Sequence, residues 1–146
     1  MGIDQILSGS HIYLDTNIFI YAMEAYPEYL RILTDLFRMI DNGKFQAFTS
    51  ELTLAETLVK PMMDNNTQLQ KAYQEAVQTA GFLQVVPVNR EILISAARIR
   101  SQNAYLKLPD AIHLATAQHK DCQIFLTNDS RLKNFSGINT IILSEC

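Results

Sequence analysis

Five short apolar runs, each parted from the next by a helical pattern, constrain this chain more than any other feature. They are residues 10–15, 44–50, 82–88, 123–128 and 138–144. Within them, Ile12-Tyr13-Leu14 and Ile124-Phe125-Leu126 lack the polar alternation of a strand with one wet face. Such strands are covered on both sides, as in parallel sheets flanked by helices. Residues 17–23 read as a short helix or turn after the first strand. Residues 27–43 carry Tyr29, Leu30, Leu33, Leu36, Phe37 and Ile40 at helical spacing, with Pro27 in the first turn and Asn42-Gly43 as the stop. Residues 51–60 read as a helix capped by Ser50 and stopped by Pro61. Further helices are expected at 65–81, closing on Gly81, at 89–102, capped by Asn89, and at 108–120, opening at Pro109. Strands and helices alternate to the end, which predicts a three-layer α/β/α sandwich with a central, mostly parallel five-stranded sheet. The 146 residues suit one domain, 1–146, and no internal repeat or linker divides them.

Bulk properties remove several function classes. With 48% hydrophobic and 18% charged residues, the chain can bury a core and is no disordered tail. No apolar run approaches the roughly 18 residues of a membrane span. The first residues lack a basic start and a long apolar core, so no secretory signal is expected. Cys122 and Cys146 form no CxxC or Cys/His cluster, which leaves no zinc site or disulfide scaffold and makes a reducing cytoplasm the expected location. The formal net charge of −3 argues against a protein that coats nucleic acid. It leaves room for an enzyme whose acids gather at one metal site.

In open parallel sheets, sites form at the carboxyl ends of strands. Asp15 ends the first strand and Asp129 follows the fourth. Glu56 lies on the helix after the second strand, and Asp110 opens a late helix. All four are embedded in apolar sequence, whereas Glu28, Asp64, Glu75 and Glu91 have polar neighbours. Each alone has a plain structural use: a turn, an exposed helix stripe, a helix N-terminus or an Asx turn. Together they fall where a parallel sheet would assemble them. Carboxylates without Cys or His suit Mg²⁺ or Mn²⁺, whose usual substrate is a phosphate ester.

The segments YLDTNIFIYA, LAET, LPDAIHLATA and FLTNDSRL resemble the PIN domain in content, order and spacing, over about residues 12–143. The resemblance implies a metal-dependent ribonuclease, often the VapC-type toxin of a prokaryotic type II toxin–antitoxin pair. It places the family's metal-binding and catalytic acids on Asp15, Glu56, Asp110 and Asp129. Thr16, Asn17, Thr127 and Asn128 take the places of the small polar residues that hold those acids. It implies Mg²⁺ or Mn²⁺ as cofactor, and phosphodiester hydrolysis leaving a 5′-phosphate and a 3′-hydroxyl. The implied partners are an RNA substrate, a cognate antitoxin and a second copy in a homodimer. Two other readings compete. A haloacid-dehalogenase-type phosphatase also starts with a strand ending in Asp, but needs a second Asp where Asn17 stands. A non-catalytic PIN-like binding module would usually have lost acids, and all four are present.

Other residues carry weaker signals. His113 shares a helical face with Asp110 and reads as a half-exposed residue able to reach a phosphate. Arg98, Arg100, Lys107, Arg131 and Lys133 could line an RNA path or be a solvated face. Tyr13 and Tyr21 suit packing or base stacking, and Met62-Met63 a partner surface or loop packing. Four crowded carboxylates should also repel, so the sequence predicts raised carboxylate pKa values and a higher melting point for Asp110→Asn without metal.

Overall fold

The computed structural model describes residues 2–146. Five strands form one sheet: β1 (His11–Leu14), β2 (Gln46–Ser50), β3 (Leu83–Val86), β4 (Ile124–Thr127) and β5 (Asn139–Ile142). Their order is β3-β2-β1-β4-β5, and every neighbouring pair is parallel. The helices are α1 (Thr16–Met23), α2 (Leu30–Asp41), α3 (Glu51–Met63), α4 (Thr67–Ala76), α5 (Arg90–Gln102) and α6 (Leu108–His119).

The continuous apolar strands are explained by two cores, one on each face. Ile12, Leu14, Ala47, Ile124 and Leu126 join Ile18 and Phe19 of α1 and Leu33, Leu36 and Ile40 of α2. Tyr13, Phe48 and Phe125 turn the other way and meet Ile92, Ala96 and Ile99 of α5 and Ala111, Leu114 and Ala115 of α6. Tyr13 and Phe125 stack there with centroids 5.0 Å apart. The α/β/α expectation therefore holds.

Helix boundaries are where sequence and structure differ. α2 starts at Leu30 rather than near Pro27, because Tyr26–Tyr29 close a separate turn through Tyr29 N–H to Tyr26 C=O. Its end is as expected. Gly43 (φ +78°) donates to Ile40 C=O and Lys44 to Met39 C=O, a Schellman closure that needs a left-handed residue. Ser50 caps α3 by accepting from Leu52 N–H, but Pro61 does not stop it. The helix runs on to Met63, because a proline near the end removes only its own N–H. The residues beyond still donate, Asp64 to Lys60 and Asn66 to Pro61. α4 ends at Ala76, not Gly81, because Thr79 leaves the helix to accept Val85 N–H, aligning β3.

Candidate active site

Strand order fixes where a site can form. From β1 the chain steps outward through β2 and β3, then crosses to β4 and β5 on the other side. The order thus reverses at β1, and in open parallel sheets such a reversal puts the site beyond the carboxyl ends of the strands that flank it, here β1 and β4. Asp15 directly follows β1, and Asp129 lies two residues past β4.

Asp15 is the N-cap of α1 and only 8% exposed. One carboxylate oxygen accepts from Thr16 N–H at 2.8 Å, the other from the Thr127 hydroxyl at 2.7 Å. Burial pushes its pKa up. The His113 charge and the two hydrogen bonds pull it back only in part. Thr127 in turn accepts from Asn17 Nδ2 at 3.1 Å and from Asp129 N–H at 3.0 Å. Asn17 Oδ1 accepts from Asn128 N–H, while Asn128 Nδ2 reaches the Tyr29 and Tyr21 hydroxyls. Asn17, Thr127 and Asn128 thus stitch the start of α1 to the end of β4, while the Thr16 hydroxyl turns to α3.

Glu56 projects from α3 toward the same edge. Its Oε1 accepts from the Thr16 hydroxyl at 2.8 Å and contacts His113 Nε2 at 2.6 Å. Burial would raise this carboxyl, but the hydrogen bond and charge of His113 outweigh it and hold the pKa below its ordinary value. His113 is itself buried, at 3% exposure, so the half-exposed reading is corrected. Its Nδ1 lies 2.6 Å from the Tyr13 hydroxyl, and its Nε2 is 3.9 Å from Asp15. Burial pulls the imidazole down, yet the Glu56 hydrogen bond and the neighbouring acids leave its pKa raised. Tyr13 is fully buried, which removes it as a base-stacking platform.

Asp110, in the first turn of α6, accepts Lys107 N–H at 3.0 Å. The Arg131 guanidinium lies 3.4 Å from Asp110 and 2.5 Å from Asp129, and its Nε contacts both Asp129 oxygens. That hydrogen bonding outweighs partial burial and holds the Asp129 carboxyl low. Lys133 pairs with Glu145 instead.

The structure therefore brings the acids together as two pairs. Asp15 and Glu56 share His113 and Thr16, Asp110 and Asp129 share Arg131, and Thr127 links Asp15 to the Asp129 backbone. Like-charge crowding governs none of the three shifts seen at Asp15, Glu56 and Asp129. That corrects the expectation of generally raised carboxylates. Among the described residues, no three His, Cys, Asp or Glu side chains stand together as a metal cage. In kind the donors still fit a hard divalent cation: all four acids offer carboxylate oxygens, the ligands Mg²⁺ and Mn²⁺ take.

Two participants, His113 and Arg131, were read from sequence in other roles than as partners of the acids. His113 sits in AIHLATA, a stretch without a polar face, and a helix apolar all round is buried. That signal was available. Arg131 is two residues from Asp129, but only the turn at Ser130–Asn134 bends it back over both acids.

The PIN domain family matches residues 12–138, and the chain belongs to that family. No curated protein sequence matches the chain. Several solved structures share its fold. VapBC2 from Rickettsia felis, bound to a DNA fragment from its promoter, gives a TM-score of 0.73 at 13% identity, covering 90% of this chain and 98% of that one. FitAcB from Neisseria gonorrhoeae gives 0.69 at 18% identity, covering 92% and 99%. Mycobacterium tuberculosis VapC20, a sarcin-ricin loop cleaving toxin, gives 0.65 at 17% identity, covering 86% and 90%.

Proposed function

We propose that this chain is a ribonuclease that hydrolyses RNA phosphodiester bonds with Mg²⁺ or Mn²⁺. The observation that carries this reading is the placement of two acid pairs, Asp15 with Glu56 and Asp110 with Asp129, where the strand order reverses, with Thr127 bridging Asp15 to the Asp129 backbone. Within it a buried Asp15 has a hydrogen-bond donor on each carboxylate oxygen. Asp15, Glu56 and Asp110 would hold the ion, and Asp129 would bind it through water or help hold a second. An ion bound there lowers the pKa of a water and polarises a phosphoryl oxygen. Thr127 and the Thr16 N–H keep Asp15 oriented, and Asn17 holds Thr127, so the carboxylate needs little reorganisation. Arg131, with a side chain 47% exposed, occupies Asp110 and Asp129 and would have to leave them for those acids to hold an ion.

The biological role we infer is that of the toxin in a type II toxin–antitoxin pair, acting in the cytoplasm as a homodimer held by its antitoxin. A toxin–antitoxin complex and a toxin among the solved structures of like fold support this. So do Val59, Met62 and Met63, which leave an apolar, exposed surface on α3 for a partner. No helix of the described residues is long and apolar enough to cross a membrane.

The test is cleavage of RNA by the purified chain with Mg²⁺, with Mn²⁺ and with EDTA, beside Asp15→Asn. Cleavage should need metal and vanish in the variant, leaving 5′-phosphate ends. Activity that survives both EDTA and the substitution overturns the reading. For the role, expression in a bacterial host should arrest growth with the wild type alone. Unchanged growth would overturn the toxin assignment while leaving the nuclease one standing.

A further inference from the structure

Beneath the carboxylates runs a buried polar seam that no step above uses. Tyr13 is 0% exposed and His113 3%, within the core between the sheet and α5–α6. A polar group is buried at a cost unless it is hydrogen-bonded, and here both ring nitrogens have partners. The Tyr13 hydroxyl meets Nδ1 at 2.6 Å, and Nε2 meets Glu56 Oε1 at 2.6 Å. A second line reaches the same oxygen. Thr49 donates to Leu14 C=O, Thr53 lies 2.8 Å from Thr49 and 3.3 Å from Thr16, and Thr16 donates to Glu56 Oε1 at 2.8 Å. Both lines start on the sheet and end on one atom of a side chain that is otherwise 34% exposed. Among the described residues, the hydrogen bonds to Glu56 fall on Oε1 and none reaches Oε2, the oxygen left for a ligand. A long, partly exposed glutamate carries much rotamer freedom, and two fixed donors on one oxygen remove it.

We propose that His113 is a positioning residue that clamps Glu56, with Tyr13 holding the imidazole so that Nε2 donates to Oε1. The role rests on the reading of Glu56 as a metal ligand. It needs no contact between His113 and metal or RNA. The Tyr13 hydroxyl donates to Nδ1 while the ring is neutral, which places the ring proton on Nε2, facing the carboxylate.

The test is Mn²⁺ affinity of the full chain by electron paramagnetic resonance, with a thermal melt of each variant. His113→Leu should weaken binding about tenfold, the lower end of what losing an orienting partner costs a metal site. His113→Gln, which keeps a donor near the Nε2 position, should recover most of that loss. Tyr13→Phe keeps the ring on Phe125, removes only the hydroxyl, and should weaken binding by a smaller factor. The decisive comparison is the double variant. If His113 acts through Glu56, then His113→Leu in a Glu56→Gln background should weaken binding no further. Multiplying effects, or His113→Leu binding Mn²⁺ like wild type, overturn the clamp alone. A wild type that binds no Mn²⁺, or is unaffected by Glu56→Gln, overturns the metal reading and the clamp with it. If His113→Leu fails to fold, Tyr13→Phe is the readout, and wild-type Mn²⁺ affinity in it overturns the clamp.

Discussion

Asp15 is held by two donors and buried, while its neighbour Glu56 is held low by His113. This pairing makes the metal-free protein sensitive to pH. Glu56, with its pKa below the ordinary 4.5, contributes stability above that pH and loses it as pH falls through the folded value. His113, with its pKa above the ordinary 6.5, contributes fully below that pH and loses it as pH rises through the folded value. Asp15, raised above 3.8 by burial, works against Glu56 on the acid side. The alkaline limb is therefore the clean readout. In EDTA, the melting-temperature gap between wild type and His113→Gln should be widest near pH 6 and narrow as pH rises. A gap that stays constant to pH 9 would mean that the imidazole carries no charge in the folded protein. The two thiols give an independent residue-scale check. Burial and Asp121 push Cys122 up to about 12, and Cys146 is the exposed one. A thiol reagent at pH 8 should modify one cysteine quickly and the second only on unfolding. Rapid modification of both would contradict the packing of Cys122. The acids were legible because each interrupts an apolar run. Their countercharges were not, since nothing in one dimension says that Arg131 folds back over Asp110.

Helix ends carry two of the four acids, so the elements themselves are testable. Asp110 was expected to gain stability when neutralised, by relief of repulsion. The structure gives it Lys107 N–H and the Arg131 charge instead. Asp110→Asn should therefore melt no higher than wild type in EDTA at pH 7, and Asp110→Ala should lose about 1 kcal/mol, the usual worth of an N-terminal helix bond. A clear rise for Asp110→Asn in urea or thermal melts would restore the repulsion account. Ser50→Ala, which strips the cap from α3, should cost a similar amount, about 1 kcal/mol in urea unfolding. Strand positions were readable from sequence because burial on both faces leaves a run of apolar residues with nothing else to do. Helix ends were less so. Whether Pro61 ends α3 depends on how many donors beyond it still find carbonyls, and whether Thr79 stays helical depends on Val85, six residues on.

At the scale of the whole molecule, the sheet order brings acids far apart in sequence to the carboxyl ends of β1 and β4, where Glu56 pairs with His113 and Asp110 and Asp129 with Arg131. An ion that binds the folded chain alone must stabilise it by mass action, by about 2.7 kcal/mol at a hundred times its Kd. Saturating Mn²⁺ should then raise the wild-type melting temperature by about 5–10 °C. Arg131→Gln should lower the metal-free melting temperature slightly, since a half-exposed ion pair is worth about 0–1 kcal/mol. It should also gain more from Mn²⁺ than wild type does, because no guanidinium competes for Asp110 and Asp129. Equal gains in both proteins would show that Arg131 does not stand in the ion's way. The central claim, that these four carboxylates form one metal site, is tested most directly by anomalous diffraction from crystals soaked in Mn²⁺. A peak about 2.1 Å from an Asp15 oxygen, with Glu56 and Asp110 around it and Arg131 withdrawn from Asp110, is the predicted result. A well-occupied peak among other acids, with none beside Asp15, would contradict it.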